Sequence, residues 1–132
     1  MVIGIGIDII EIDRIKESID KLGDQFLNKL FTDDEIKYCS SKKNMHQHYA
    51  ARFAAKEAII KALSSVRTKG AKWKDMEIYN EPSGLPKVKL HNDLKQYVED
   101  NRELKITMSH SKNYVTCFAI LYNVVETGES NE

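Results

Sequence analysis

The sequence has 132 residues, enough for one domain with a single hydrophobic core. Hydrophobic residues make up 42 % and charged residues 30 %, which excludes an intrinsically disordered chain, and no apolar stretch reaches the ~20 residues of a membrane span. The formal net charge is zero, yet residues 44–74 contain seven Lys or Arg against one acidic residue, so any surface for an anionic partner is expected to be local. Neither a signal peptide nor a disulfide framework is expected, and the two isolated cysteines favour a reducing cytoplasm.

The beginning of the sequence predicts a β-strand with one unusual position. Isoleucines alternate at positions 3, 5, 7 and 9, so residues 2–10 have the period of a strand with these four side chains on one face. The opposite face is apolar or small except for Asp8. Gly4 and Gly6 on that face leave room for another backbone to approach closely.

Three short helices are predicted to follow this strand. The first covers residues 11–22 and ends near Gly23, and residues 24–30 continue helically. Thr32 and Glu35 have the spacing of a capping box, so a third helix is predicted from there to about residue 40.

The longest predicted helix spans residues 45–65. Five alanines fall within one stripe of about 100° on its surface, and a second apolar stripe lies roughly opposite. The helix therefore has no broad polar face and is expected to be buried on most sides. The alanines are Ala51, Ala54, Ala55, Ala58 and Ala62.

The second half of the chain predicts mainly strands. Both prolines and a glycine fall within residues 80–86, which predicts a turn. Strands are predicted over residues 73–79, 87–90, 104–109 and 114–125, and a helix over residues 91–101. This order indicates an α+β fold, with one domain over residues 1–125 and a polar C-terminal tail over residues 126–132.

Asp8 and the cations of the long helix do not fit a purely structural interpretation. A carboxylate in an apolar strand requires a cation or a metal ion, unless Asp8 simply ends an edge strand at the surface. Glu57 and Lys61 have the i,i+4 spacing of a helix salt bridge. Arg52 and Lys56 share the other side of the helix with a histidine and with no acid, which suggests an external phosphate or sulfate group.

These residue types favour phosphoryl transfer over other metal chemistry. Asp8 and Glu57 are too few to enclose Ca²⁺ and are the wrong ligands for structural zinc. Mg²⁺ instead takes one or two carboxylates together with substrate phosphate oxygens and water. The sequence lacks a glycine-rich phosphate loop, so side chains of the long helix are expected to hold the phosphates.

Two segments resemble the motifs of one enzyme family. GIDIIEIDR, from Gly6 to Arg14, and RFAAKEAIIKAL, from Arg52 to Leu63, resemble the two motifs of holo-[acyl-carrier-protein] synthases, the small 4′-phosphopantetheinyl transferases. The segments SGLP at 83–86 and MSHS at 108–111 add to the match, and the resemblance covers about residues 1–124. It implies a small antiparallel sheet packed on a long helix, in a single domain that assembles as a trimer with its sites between subunits.

The resemblance also implies a role for particular residues. Asp8 and Glu57 would ligate Mg²⁺ on the coenzyme A pyrophosphate, which Lys61 would also reach. The coenzyme A contacts implied are Arg52 and Lys56 near the 3′-phosphate, Gly84 and Pro86 at the adenine, and Ser109 and His110 at the phosphate site. Docking of the acidic acyl carrier protein is implied for Arg14, with Lys16, Lys21, Phe26 and Lys29 as helpers.

The implied reaction is Mg²⁺-dependent transfer of 4′-phosphopantetheine from coenzyme A to a carrier-protein serine, with release of adenosine 3′,5′-bisphosphate, in cytoplasmic fatty acid biosynthesis. The residues leave the base for the serine proton open among Glu57, a metal-bound water, His110 and Asp33. The alternative is a Mg²⁺-dependent hydrolase of nucleotides or phosphoesters. A nucleic acid is not an expected partner, because residues 44–74 offer few aromatic side chains for base stacking and because such a role would not explain Asp8. A membrane is not an expected partner either.

Overall fold

A long helix, α4 (Met45–Leu63), packs against one face of a three-stranded antiparallel sheet. The central strand is β5 (Tyr114–Asn123), with β1 (Val2–Glu11) on one side and β4 (Arg102–His110) on the other. The computed structural model describes residues 1–67 and 69–124. The predicted tail and the predicted last residue of β5 lie outside these described residues.

The remaining elements surround α4. A second sheet consists of the antiparallel strands β2 and β3. The bounds are α1 (Ile12–Leu22), α2 (Asp24–Leu30), α3 (Asp33–Ser40), β2 (Met76–Asn80) and β3 (Pro86–Leu90). Within the described ranges, no helix has the length and apolarity needed to cross a membrane.

The predicted close approach of β1 to the long helix is confirmed. A Cβ atom added at Gly4 would lie 1.9 Å from the carbonyl oxygen of Ala62, and one at Gly6 would lie 2.0 Å from that of Ala58. Four alanines of the predicted α4 stripe are buried as expected, with Ala54 and Ala55 fully inaccessible, whereas Ala51 is half-buried. Small residues on both elements thus bring the β1 backbone, and Asp8 with it, directly against α4.

Two hydrophobic clusters hold these elements together. One lies between α4, the three-stranded sheet and the β2–β3 hairpin, and its members include Ala58, Met76, Ile78 and Leu121. The other lies beneath the three short helices, and its members include Ile15, Phe31, Tyr49 and Val115. Because α4 contributes to both clusters, it is the element that joins the two halves of the domain.

The outer face of β1 is apolar and exposed. Ile5, Ile7 and Ile9 are 60 %, 61 % and 65 % exposed. The prediction that Ile3 shares their face is wrong, because a register shift between Val2 and Gly4 turns Ile3 toward the core. These three isoleucines form a row of exposed apolar side chains along β1.

The predicted elements of the first half are confirmed, including the capping box of Thr32 and Glu35. Two predictions in the second half are wrong. The predicted strand from Trp73 begins with a 3₁₀ turn, Trp73–Asp75, and becomes a strand only at Met76. The predicted helix over residues 91–101 is a 3₁₀ segment, Asn92–Val98. Its first residue has φ 54°, and the side-chain amide of that residue donates a hydrogen bond to Asp75 instead of capping an α-helix.

Candidate functional site

Helix α4 positions two clefts of opposite charge. The carboxylate cleft, with a volume of about 360 Å³, is lined by Asp8, Arg14, Ile15, Phe26, Phe53 and Glu57. The cationic cleft, about 290 Å³, is lined by His48, Arg52, Asn80, Gly84, Pro86, Ser109 and His110. Arg52 and Glu57 are five residues apart on α4, so their side chains leave the helix in directions roughly 140° apart.

Asp8 and Glu57 meet in the carboxylate cleft, as the sequence predicts. Asp8 lies near the end of β1 and Glu57 in the fourth turn of α4, on elements that are held together by the glycine–alanine packing. Burial and the neighbouring charge of Asp8 raise the pKa of Glu57, and Lys61 opposes the shift. Two carboxylates therefore line one cleft, close enough for the charge of Asp8 to raise the pKa of Glu57.

Lys61 lies beside this cleft and touches β1. Its Nζ donates to the carbonyl oxygen of Ile7 at 2.8 Å and lies 3.4 Å from Asp8 Oδ1. The side chain is about half exposed, so it keeps a free direction toward solvent. Lys61 forms its salt bridge with Asp8 and not with the predicted partner Glu57, whose pKa it lowers through its charge.

Five of the predicted coenzyme A residues line the cationic cleft together. Arg52 comes from α4, Gly84 and Pro86 from the β2–β3 turn and the start of β3, and Ser109 and His110 from the end of β4. Gly84 has φ 94°, a conformation that favours glycine at this turn. Segments that are far apart in the sequence thus form one wall each of the same cleft.

The guanidinium group of Arg52 is buried but incompletely satisfied. Its Nη2 donates to Asn80 Oδ1 at 2.8 Å, and its Cζ lies 4.3 Å from the ring centroid of Tyr38. The residue is 2 % exposed, and its Nε has no hydrogen-bond partner. A buried donor without an acceptor is costly, so this position suits an anionic ligand.

Other cations gather around Arg52 that the motifs do not identify. Lys42 Nζ lies 4.6 Å from the ring centroid of Tyr38, and the His48 ring meets the same tyrosine edge-on at 5.6 Å. Burial, followed by the charges of Arg52, Lys42 and His110, lowers the pKa of His48. Lys42 belongs to the loop before α4, where no periodicity or motif indicates its role.

The prediction that Lys56 contacts the nucleotide is wrong. Lys56 is fully buried, and its Nζ donates to Glu35 Oε1 at 2.6 Å and to the carbonyl oxygens of Leu30 and Trp73 at 2.7 and 3.1 Å. Its three ammonium hydrogens are therefore used inside the protein. The absence of an acid beside Lys56 in the helix pattern is misleading because Glu35 reaches it from α3.

The predicted carrier-protein residues divide into two groups. Arg14 and Phe26 line the carboxylate cleft, next to the acidic pair. Lys16 forms an exposed ion pair with Asp20 at 3.2 Å, Lys21 is exposed, and Lys29 lines a separate apolar cleft with Phe26. The first group therefore lies beside Asp8 and Glu57, and the second lies around it on α1 and α2.

Comparison with known proteins agrees with the sequence motifs. A family model described as the 4′-phosphopantetheinyl transferase superfamily matches residues 4–119. The holo-[acyl-carrier-protein] synthase of Koribacter versatilis is 41 % identical over 123 residues, which cover 92 % of this chain and 98 % of the relative. The protein of the same name from Protochlamydia amoebophila is 45 % identical over 120 residues, covering 91 % and 98 %.

Solved structures of similarly named proteins share the fold. The holo-(acyl-carrier-protein) synthase of Bacillus anthracis in complex with CoA (3′,5′-ADP) aligns with a TM-score of 0.76 at 30 % identity, covering 95 % of this chain and 99 % of that one. The holo-[acyl-carrier-protein] synthase of Neisseria meningitidis aligns with a TM-score of 0.83 at 26 % identity, covering 93 % and 100 %. These alignments extend over both clefts.

Proposed function

The chain belongs to the 4′-phosphopantetheinyl transferase superfamily, and we propose that it transfers 4′-phosphopantetheine from coenzyme A to a serine hydroxyl of an apo acyl carrier protein. The pair of oppositely charged clefts on α4 carries this proposal. Coenzyme A bears a pyrophosphate and a separate ribose 3′-phosphate, so a ligand of this kind needs a metal-binding half-site and a cationic half-site.

The residues of the carboxylate cleft fit Mg²⁺. Mg²⁺ prefers hard oxygen ligands, keeps several waters, and is bound in proteins by one or two carboxylates plus substrate phosphates. Asp8 and Glu57 supply such a pair, and the described residues contain no group of three or more His, Cys, Asp or Glu that would form a complete protein cage. Bound there, the metal supplies charge neutralisation of the pyrophosphate oxygens.

Lys61 complements the carboxylates in this proposal. Its ammonium group, anchored on the Ile7 carbonyl and partly free, neutralises charge on the pyrophosphate as the reaction proceeds. The serine hydroxyl gives its proton to Glu57 or to a water of the carboxylate cleft as its oxygen forms a bond to the β-phosphorus. The bond from that phosphorus to the bridging oxygen breaks, and adenosine 3′,5′-bisphosphate leaves with the electron pair. Positioning and electrostatics therefore account for most of the catalysis.

The cationic cleft holds the nucleotide end. Arg52, with its unpartnered Nε, faces the 3′-phosphate, and His110 and Ser109 line the same cleft. Gly84 and Pro86 border the adenine. Lys56 has no direct part, because its donors are used on Glu35 and two carbonyl oxygens.

The proposed active unit is a trimer with each site between two neighbouring chains. On one chain the two clefts lie on different sides of α4 and have no lining residue in common, which favours a site that joins the carboxylate cleft of one chain to the cationic cleft of the next. The exposed row Ile5, Ile7 and Ile9 supplies an apolar surface for such an assembly.

The acidic carrier protein docks on α1 and α2 in this proposal. Arg14 lies at the carboxylate cleft, and the exposed lysines around it attract an anionic partner. We assign the reaction to fatty acid biosynthesis in the cytoplasm. Cys39 and Cys117 are buried free thiols whose pKa burial raises to about 12, which suits a reducing compartment.

One assay tests the proposed function. The protein is incubated with coenzyme A, Mg²⁺ and an apo acyl carrier protein, and the intact mass of the carrier is measured. We expect a mass gain of one phosphopantetheine group, its loss when EDTA is added, and no gain when the acceptor serine of the carrier is replaced by alanine. Release of nucleotide or phosphate without any gain in carrier mass would show a hydrolase instead.

A further inference from the structure

We propose that Tyr38 and Asn80 are positioning residues for Arg52, and that they make the cationic cleft selective for nucleotides with a phosphate on the ribose 3′ carbon. This inference rests on the proposed function and deepens it. Neither residue belongs to the sequence motifs that resemble the family. The argument starts from what surrounds the guanidinium group.

Tyr38 is the centre of the cation cluster. Arg52 lies over its ring at 4.3 Å from the centroid, Lys42 lies within 4.6 Å, and His48 packs edge-on at 5.6 Å. The electron-rich face of an aromatic ring attracts cations and so offsets part of their mutual repulsion before an anion arrives. One ring thereby gathers three basic side chains around the same place.

Asn80 fixes the guanidinium group from β2. Its Oδ1 accepts from Arg52 Nη2 at 2.8 Å, while its Nδ2 donates to the carbonyl oxygen of Gly84 at 3.0 Å. Asn80 therefore ties Arg52 to the turn that forms another wall of the cationic cleft. With Nη2 occupied and the ring of Tyr38 alongside, Nε is the buried donor left without a partner.

A second layer of interactions supports this arrangement from below. Glu35 accepts from Lys56 Nζ at 2.6 Å and from the backbone N–H of Ile78 at 3.0 Å. Glu35 lies three residues before Tyr38 on α3, Lys56 four after Arg52 on α4, and Ile78 two before Asn80 on β2. On each of α3, α4 and β2, these spacings put the residue of the lower layer on the same face as the residue that surrounds or forms the guanidinium group.

The consequence is a preorganised phosphate-binding group. A long arginine side chain normally loses conformational freedom when it binds an anion, and this loss is smaller when the side chain is already held. Without Tyr38 or Asn80, Arg52 still carries its charge but no longer presents it in one direction. Removal of Tyr38 or Asn80 should therefore weaken the binding of ligands that carry a 3′-phosphate more than the binding of ligands that lack it.

The test compares coenzyme A with 3′-dephospho-coenzyme A as substrates. For each variant, the selectivity is the ratio of the two kcat/KM values. We expect Tyr38→Leu to lower this ratio about tenfold and Asn80→Ala about threefold, mainly through the KM for coenzyme A. Tyr38→Phe, which keeps the ring, should retain the wild-type ratio, and in Tyr38→Leu kcat/KM for the dephospho substrate should change by less than about twofold.

The double variant Tyr38→Leu/Arg52→Ala separates positioning from general damage. If Tyr38 acts through Arg52, its loss lowers the ratio no further once Arg52 is alanine. Equal losses with both substrates, or a full additional loss of selectivity in the Arg52→Ala background, would overturn the inference. Should Tyr38→Leu fail to fold by its thermal transition, the half-buried Asn80→Ala variant decides on the same criteria.

A binding measurement keeps this test independent of the proposed function. Calorimetry with adenosine 3′,5′-bisphosphate and with adenosine 5′-monophosphate measures the same selectivity without any transfer. Loss of preference for the bisphosphate in Tyr38→Leu, with Tyr38→Phe unchanged, supports the inference even if no carrier protein is modified. Unchanged preference in both Tyr38→Leu and Asn80→Ala refutes it even if the transferase activity is confirmed.

Discussion

The two clefts on α4 use opposite electrostatics and are built in different ways. In the carboxylate cleft, two acids face each other because β1 lies unusually close to α4, and Lys61 is the nearest counter-charge. In the cationic cleft, a buried arginine is held by an aromatic ring and an amide, with further cations around it. One half-site therefore brings acids together, and the other brings bases together.

This contrast shows how a small protein can hold a multiply charged ligand. Each half-site keeps like charges together, at a cost that a bound counter-ion removes. Where a charge is fully buried and all its donors are used within the fold, as those of Lys56 are, the structure gives it no access to a ligand. Complete use of the donors thus distinguishes Lys56, which supports the fold, from the α4 charges that are available for substrate.

The largest expected effect is loss of the acids of the carboxylate cleft. Asp8→Ala and Glu57→Ala should each lower kcat about a thousandfold, because several kcal/mol of charge stabilisation depend on the metal. Turnover measured against Mg²⁺ concentration tests this, with the exposed Asp93→Ala as the matched control. Near-wild-type turnover of either variant at limiting Mg²⁺ would contradict the ligand assignment.

Mixing two inactive variants tests whether the clefts of one site belong to different chains. Glu57→Ala chains retain the cationic cleft, and Arg52→Ala chains retain the carboxylate cleft. After unfolding and refolding of an equal mixture, we expect recovery of about a quarter of wild-type activity, since random pairing joins two intact clefts at about one contact in four. Separately refolded variants provide the control, and a mixture no more active than they are would place both clefts of a site on one chain.

The approach of β1 to α4 can be disturbed without touching a charged residue. In Gly6→Ala the new Cβ would lie 2.0 Å from the carbonyl oxygen of Ala58, so strand and helix must separate. We expect a loss of about 3 kcal/mol in the free energy of unfolding, measured by denaturant titration. Gly70→Ala, with no atom within 4 Å of its new Cβ, should change stability by less than about 0.5 kcal/mol. Equal stability of the two variants would mean that the contact is not a tight one.

Arg14 allows the carrier-protein side of the carboxylate cleft to be measured separately. Arg14→Ala should raise the KM for the carrier about fivefold and leave the KM for coenzyme A nearly unchanged, because an exposed charge at a docking surface mainly affects encounter with an acidic partner. Steady-state kinetics with each substrate varied in turn gives both constants. Lys105→Ala, an exposed cation on β4, is the control, and equal changes in both KM values would exclude a docking role.

The smallest expected effect is a pH dependence in the cationic cleft. Burial and the neighbouring cations lower the pKa of His48 below 6.5 in the free protein, so a bound anion should raise it and proton uptake should accompany binding. The affinity for adenosine 3′,5′-bisphosphate is measured at pH about 7.5 and about 6 for the wild type and for His48→Gln. The increase in affinity at the lower pH should be about threefold larger in the wild type. Comparing the two proteins cancels the titration of the ligand phosphate. Parallel pH profiles by calorimetry would show that His48 does not sense the ligand.

The site was predicted most reliably where a motif combined charge with unusual neighbours. Asp8 stood out because a carboxylate among isoleucines and glycines has no local structural explanation, and it does meet Glu57 across the β1–α4 contact. The helix pattern wrongly predicts a ligand contact for Lys56, because its acidic partner Glu35 is 21 residues away on another helix. Tyr38, Lys42 and Asn80 were missed because stacking and single hydrogen bonds leave no periodic signal in a sequence.

Local patterns in the sequence suffice to predict the elements in the first half of the chain and the pair of acids Asp8 and Glu57. Alternation, alanine spacing and a capping box are local patterns, and local backbone geometry follows from them. Only the tertiary structure shows which charged side chains are paired inside the protein and which can reach a ligand. It also shows that Ile3 turns toward the core and that residues 92–98 form a 3₁₀ segment. These outcomes depend on contacts between segments that are far apart in the sequence. Such segments come within a few ångströms of each other only when the chain folds, so a local pattern carries no signal for them.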